Sequence, residues 1–244
     1  MIKFFRHIRK SLINQNQMGK YVKYAFGEIL LVVIGILIAL QINNWNQNRL
    51  EKIKSVEYHK RMVEDLDLLI RNFKWDSTRS SNMTKRLITS LKVLEKKKAT
   101  KGEMDTLDYS LRNYFQFVRI NTSLNTFDEI KSSGDIGLIY NKDLRKSINS
   151  YLTYLSAIGK IYDELSEQVN ERAFLDPYIK QEVNLTSSNT KIKFDFNTIR
   201  KNKMVINQLS RYAHNWSTKR EFASSLIEQS KKLRAEILKE LNND

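Results

Sequence analysis

One long apolar run, from Tyr24 to Ile42, constrains this chain more than any other feature of its sequence. Glu28 is the only charged residue in the run. As an α-helix rising about 1.5 Å per residue, the run would be roughly 28 Å long, close to the roughly 30 Å hydrocarbon core of a bilayer. The rest of the chain is too polar to enclose such a helix in a protein core. We therefore predict a transmembrane helix over residues 24–42.

The residues that flank the run predict its orientation. Lys and Arg are frequent among residues 1–23, which contain no acidic residue, whereas the run is followed by uncharged residues until Arg49. Positive charge favours the cytoplasmic side of a membrane. We expect residues 1–23 to form a basic cytoplasmic segment and residues 43–244 to form a helical domain on the other side. A cleaved signal peptide fits less well, because the apolar run is longer than the about 7–15 residues of a signal sequence.

The composition favours long helices and excludes thiol chemistry. The chain contains 7 Gly and 1 Pro, both below ordinary usage, and no Cys. The lack of Cys excludes disulfides, thiolate metal sites and Cys nucleophiles from this chain. Its stability must therefore come from packing alone.

The chain carries a formal net charge of +15. Because the first 23 residues hold six of these charges and Glu28 offsets one, residues 43–244 keep +10. Such an excess favours anionic partners, namely lipid headgroups, acidic proteins or nucleic acid. The simpler interpretation is a basic, solvated helical surface.

Apolar residues recur at helical spacing through most of the remaining chain. We predict a helix that continues from the membrane run to about Lys98, with a bend in the polar stretch 77–82 and Gly102 as a stop. A shorter helix of about 15 residues follows, with a stripe formed by Leu107, Leu111, Tyr114, Phe115 and Val118.

The second half of the domain is predicted to begin with a short helix from Asn125 to Ser132, closed by Gly134 in a left-handed conformation. A long helix then starts at Asn141 as its N-cap, and a last helix starts at Asn197. Residues 181–197 give a mixed signal that allows one short extended piece without an obvious pairing partner. These elements predict an all-α protein: one transmembrane helix followed by an elongated antiparallel helical bundle.

The sequence contains no pattern typical of an active site. The three His residues are scattered, and no phosphate-binding loop, dinucleotide fingerprint or nucleophile elbow is present. We therefore predict no enzymatic activity, no cofactor and no metal site.

Glu28 is the most unusual residue of the apolar run, because a carboxylate is costly inside a bilayer. Near the cytoplasmic edge it could pair with Lys20 or Lys23. Alternatively, it could contact another membrane helix together with Gly35 and Ala39, which form a groove of small residues. Both interpretations remain open.

Two motifs resemble those of a family of uncharacterised bacterial single-pass membrane proteins. The first runs from Gly27 to Trp45 (GEILLVVIGILIALQINNW), and the second from Phe127 to Gly134 (FDEIKSSG), with Leu138–Asn141 after it. The resemblance implies a basic N-terminus, an anchor and a helical C-terminal domain, in a Gram-negative inner-membrane setting. Together with the charge bias around the apolar run, this setting predicts a periplasmic helical domain. The resemblance implies no activity, cofactor or site.

The second motif can be interpreted as a structural corner or as a polar site. In the first case Gly134 turns the chain, and the apolar residues after it pack into the core of the bundle. In the second case the candidate polar residues are Glu129, Lys131, Ser132 and Ser133.

Together these features predict a membrane-anchored helical protein that acts as a scaffold, adaptor or accessory subunit of the cell envelope. Its expected partners are the lipid bilayer and either another protein or a second copy of the chain. One alternative is a sensory, ligand-binding domain without its own output module. Another is a cytoplasmic, membrane-tethered nucleic-acid binder, which requires the inverted topology and is less favoured because Lys and Arg are spread over several helices.

Overall fold

The structure is a computed structural model that describes residues 18–120, 122–170, 174–183 and 190–242. Most of the predicted basic segment 1–23 lies outside these residues. The chain divides into two compact units, Met1–Ser55 and Val56–Asp244.

The first unit contains the beginning of helix α1, which extends from Met18 to Leu94. The predicted apolar run is helical throughout, and its large side chains are exposed: Leu31 is 61% exposed and Leu37 59%. This part of α1 is long and apolar enough to cross a membrane, and none of its apolar window is buried in protein. Among the described residues, no protein core covers this apolar stretch.

The second unit contains the remainder of α1 and nine further helical or extended elements among the described residues. These are α2 (Lys101–Asn113), α3 (Asn125–Ser132), a 3-10 turn (Asp135–Leu138), α4 (Lys142–Asn170), a 3-10 turn (Asp176–Tyr178), β1 (Ile179–Val183), β2 (Thr190–Phe194), α5 (Phe196–Lys201) and α6 (Lys203–Leu241). Helix accounts for 84% of the structure, which confirms the all-α class.

The buried residues of α1 and α6 follow heptad patterns, in which each core position lies three or four residues after the last. Such spacing keeps one stripe of a helix against its neighbours. The α1 stripe comprises Met62, Leu66, Leu69, Phe73, Asp76, Ser80, Met83, Leu87, Ser90 and Leu94. The α6 stripe comprises Val205, Leu209, Tyr212, Trp216, Lys219, Ala223, Leu226, Ser230, Leu233 and Ile237.

Side-chain contacts fix the direction of the long helices within this unit. Arg234 of α6 donates to Asp67 of α1 at 2.7 Å, and Lys219, earlier in α6, donates to Asp76, later in α1. In the same way, Tyr151 of α4 contacts Ser230 of α6, and Tyr162 contacts Lys219. Helix α6 is therefore antiparallel to both α1 and α4, which run parallel to each other.

The core consists of two clusters of buried hydrophobic residues. One cluster contains Leu66 and Phe73 of α1 with Leu226 of α6, and the other contains Met83 of α1 with Trp216 of α6. The heptad layer formed by Asp76 and Lys219 lies between these two groups along both helices.

Three predicted features near α3 and α4 are confirmed. Helix α3 has the predicted bounds, and Gly134 adopts the left-handed conformation with φ of 79°. The Asn141 side chain accepts hydrogen bonds from the backbone N–H groups of Asp143 and Leu144 at the start of α4.

Several other local predictions are wrong. Helix α1 ends at Leu94 rather than near Lys98, and Gly102 lies inside α2, because Thr100 forms a capping box with Glu103 just before it. Helix α1 is continuous through residues 77–82, where the small side chain of Ser80 faces the core, and the bend expected in this stretch stays a prediction.

The last predicted helix start and the single extended piece also differ from the structure. Asp195 caps α5, and Asn202 caps α6, so Asn197 caps neither. The extended segment does find a partner: β1 and β2 form an antiparallel hairpin in which Ile179 is opposite Phe194.

Candidate functional site

The most unusual side chain in the second unit is Lys219, which is completely buried. Its Nζ donates to Asp76 Oδ1 at 2.6 Å and to the carbonyl oxygen of Val118 at 2.8 Å. Asp76 is only 4% exposed. Tyr162 completes the group, because its hydroxyl donates to the carbonyl oxygen of Lys219 at 2.7 Å and lies 3.4 Å from Asp76 Oδ2.

Aromatic rings surround the ammonium group of Lys219. Its Nζ lies 4.4 Å from the ring centre of Phe117 and 5.3 Å from the ring centres of both Tyr162 and Trp216. Rings at these distances attract a cation electrostatically, and more strongly where water is excluded. The site therefore stabilises a buried positive charge with one carboxylate, one carbonyl and three rings.

Burial acts on the protonation of every titratable member of this group. It raises the pKa of Asp76 and lowers the pKa of Lys219, while each opposite charge partly counteracts the shift of the other. Burial and the nearby carboxylate both raise the pKa of the Tyr162 hydroxyl. Tyr162 is thus a neutral donor, and the 2.6 Å contact is a charge-assisted hydrogen bond between Lys219 and Asp76.

Sequence reasoning missed this site, although a signal for it exists. Asp76 lies three residues after Phe73, and Lys219 lies three residues after Trp216, so both charges fall at heptad core positions. Two opposite charges at core positions of different helices indicate a buried pair. The polar stretch that begins at Ser77 obscured the pattern in α1.

A cleft of about 200 Å³ opens beside Asp76. Its walls come from α1, including Asn72, Phe73 and Trp75, and from the segment 118–120 that follows α2. Hydrogen bonds to backbone carbonyl groups hold this segment in place. Lys219 donates to the carbonyl oxygen of Val118, and Trp216 and Arg79 donate to carbonyl oxygens of the residues just before the segment. The cleft is mostly apolar and has one buried carboxylate in its wall.

The central motif has a different character, because its polar groups are engaged locally. Glu129 forms a two-pronged ion pair with Arg61 of α1, and the Ser132 hydroxyl donates to the Glu129 carbonyl at 2.9 Å. The Ser133 hydroxyl donates to Asp135 at 2.6 Å, and Asp135 also accepts from Tyr58 at 2.8 Å.

These contacts join the turn after α3 to α1, as expected for a corner of the fold. Lys131, the fourth candidate of the motif, is exposed on the surface of α3. The structure brings Glu129, Ser132 and Ser133 close together at the end of α3.

The three predicted membrane-helix contacts lie in the first unit, along one side of α1. Glu28 is partly exposed, Ala39 is exposed, and a Cβ atom added at Gly35 would meet no other atom within 4 Å. The surface between Gly35 and Ala39 is therefore open to a neighbouring helix.

No group of three or more metal-ligating side chains occurs among the described residues. Comparisons with known protein families, curated proteins and solved structures find no match to this chain. The function must therefore be inferred from the chain's own features.

Proposed function

We propose that this chain is a single-pass membrane protein whose second unit is a protein-interaction domain of the cell envelope. It would act as a scaffold, adaptor or accessory subunit, with residues 24–42 as the anchor and the helical domain in the periplasm. The family resemblance of the run from Gly27 to Trp45 is part of this proposal.

The observation that carries the proposal is the exposed apolar run in α1. Its large side chains are 44–63% exposed between Ile29 and Ile42, so they are not packed against other described residues of the protein. Exposing this much apolar surface to water would be unfavourable, whereas a bilayer accepts it. The long helices and two packed cores of the second unit support an interaction role, because they present extended outer faces.

Membrane orientation is the first test. Because the chain has no Cys, Ser156→Cys on the exposed side of α4 provides a single reactive thiol. We expect a membrane-impermeant maleimide to label it in intact spheroplasts. Ser11→Cys is the matched control and should be labelled only after lysis.

The reverse labelling pattern would place the helical domain in the cytoplasm and contradict the proposed topology. Labelling of both positions in the soluble fraction would contradict the anchor itself. A chain that is always recovered alone after crosslinking in cells and extraction in mild detergent would contradict the interaction role.

Self-association of the anchor is a further part of the proposal. Glu28, Gly35 and Ala39 lie on one side of α1, and small residues allow two helices to approach closely in a membrane. Crosslinking within the same membranes distinguishes a dimer formed through this side from a complex with another protein.

A further inference from the structure

Over residues 68–94, the outer surface of α1 carries six cationic side chains and no exposed acidic one. We call this surface the basic face; it comprises Arg71, Lys74, Arg79, Lys85, Arg86 and Lys92. Between Asp67 and Glu95, the only acidic residue of α1 is Asp76, which is buried and bound to Lys219. The basic face is therefore a region of uncompensated positive charge.

Several other cations of the second unit are bound to carboxylates. Arg61, Arg112 and Arg234, for example, each form an ion pair with a carboxylate. Among the described residues, no member of the basic face forms a salt bridge. Arg79 and Arg86 instead lie over the rings of Trp75 and Tyr109. The charges on this face are thus not neutralised by a carboxylate.

Apolar side chains are interleaved with the charges. Trp75 is 57% exposed and Leu68, one heptad earlier, is 44% exposed. The guanidinium of Arg79 lies over the Trp75 ring at 5.2 Å and donates to the Gln116 carbonyl, so both side chains are held in fixed positions. Trp and Arg are the residues most enriched at the energetic centres of protein interfaces.

The cleft beside Asp76 adjoins the basic face and forms a concave part of this surface. Trp75 forms part of its wall, with Val118 and Ile120 on the other side. A volume of about 200 Å³ is below the roughly 300–1,000 Å³ of pockets that enclose whole ligands, and it suits one side chain of a larger partner.

We propose that the basic face binds an acidic, amphipathic segment of a partner protein, with one apolar side chain of that segment in the cleft. The inference deepens the proposed function, on which it rests, by naming the surface and the chemistry of the partner. Complementary charge steers the encounter, while the apolar anchor supplies specificity. Neither a lipid surface nor a nucleic-acid backbone would use a cleft suited to a single apolar side chain.

The test uses the full chain in nanodiscs of zwitterionic lipid and a fluorescent synthetic peptide. The peptide is an amphipathic helix with Glu on its polar face and Leu and Phe on its apolar face. Its matched control replaces every Glu with Gln. We expect the Gln peptide to bind at least about tenfold more weakly by fluorescence anisotropy, because it lacks the complementary charge.

Two triple variants distinguish the effect of the basic face on binding from the effect of net charge. Arg71→Gln/Lys85→Gln/Lys92→Gln should weaken binding of the Glu peptide at least about tenfold. The control Lys142→Gln/Lys160→Gln/Lys239→Gln removes the same charge from exposed positions elsewhere and should change the affinity less than about twofold. Trp75→Ala should weaken binding at least as much as the first triple variant does.

Equal losses in the two triple variants would overturn the inference, because binding would then follow net charge alone. Tighter binding of duplex DNA or phosphatidylglycerol vesicles than of the peptide, through the same residues, would also overturn it. The maleimide experiment on Ser156→Cys does not depend on this face, so failure of the inference and failure of the proposed topology are distinguishable.

Discussion

At the scale of single residues, the buried pair of Lys219 and Asp76 is the least expected part of this protein. A buried ion pair seldom stabilises a fold more than well-packed apolar residues would, because removing two charges from water is costly. However, any arrangement of the helices that separates the two charges leaves each of them buried without a counter-charge, which is strongly destabilising. We infer that the pair fixes the axial alignment of α1 and α6, whose other core residues are mostly interchangeable apolar groups.

Loss of one member of the pair should destabilise the protein much more than loss of both members. Lys219→Met leaves Asp76 buried without a counter-charge and should lower the free energy of unfolding by about 3–5 kcal/mol. The double variant Asp76→Leu/Lys219→Met removes both charges and should be as stable as the natural chain or more stable. Urea unfolding of the nanodisc-embedded chain, followed by Trp fluorescence, to which the buried Trp216 contributes with Trp45 and Trp75, measures both effects.

An exposed pair provides the control for that comparison. Lys146 pairs with Asp143 at 3.0 Å, but both side chains are more than three-quarters exposed, at 78% and 89%. Lys146→Met should therefore change the free energy of unfolding by less than about 0.5 kcal/mol. Equal effects of Lys146→Met and Lys219→Met would show that burial does not govern the strength of these pairs.

The lowered pKa of Lys219 predicts a particular dependence of stability on pH. The folded protein releases this proton at a lower pH than the unfolded chain, whose lysines titrate near about 10.4. Between these two pKa values the unfolded chain binds more protons, so the free energy of unfolding gains a contribution that rises with pH.

Lys219→Met removes this contribution. The stability advantage of the natural chain over the variant should therefore widen as the pH rises toward about 10.4, the pKa of lysines in the unfolded chain, measured by urea unfolding at each pH. An advantage that is constant or narrows over this range would contradict a lowered pKa for Lys219.

At the scale of single elements, the starts of helices decide how the second half of the domain is divided. The side chain of Asn202 accepts hydrogen bonds from the backbone N–H groups of Met204 and Val205, which separates α6 from α5. Asn197, the start predicted from the sequence, instead lies in the first turn of α5, after its cap Asp195.

This difference gives a paired test. Asn202→Ala should lower the free energy of unfolding by about 1 kcal/mol, because it leaves the first N–H groups of α6 without an acceptor. Asn197→Ala should have less than half that effect, since its side chain caps no helix. Urea unfolding of the two variants compares them directly, and a larger loss in Asn197→Ala would contradict the cap assignment.

The hairpin of β1 and β2 shows where sequence reasoning at this scale reaches its limit. The alternation of Ile192, Phe194 and Phe196 correctly indicated an extended segment. Its partner, Ile179–Val183, contains Lys, Gln and Glu and lacks a clear alternating pattern. Pairing between strands is a tertiary event, so a strand whose own pattern is weak is found only through its neighbour.

At the scale of the whole molecule, periodicity allowed much of the fold to be predicted. The apolar run, the all-α class, α3, and the caps at Gly134 and Asn141 follow from local patterns. The parallel direction of α1 and α4 does not, because nothing within either helix specifies its neighbour. The polar core residues were missed because Asp76 and Lys219 break the apolar pattern whose continuity identified the helices.

The antiparallel position of α6 also has a consequence for the order in which the protein can fold. Asp76 and Asp67 of α1 meet Lys219 and Arg234, so these contacts join residues 143 and 167 positions apart. Contacts between residues so distant along the chain form late, because a long loop must first close. During synthesis, the apolar stripe of α1 emerges long before α6 can cover it. A nascent chain would thus expose this stripe until its last helix is complete, and a chain truncated before Lys203 should aggregate rather than fold.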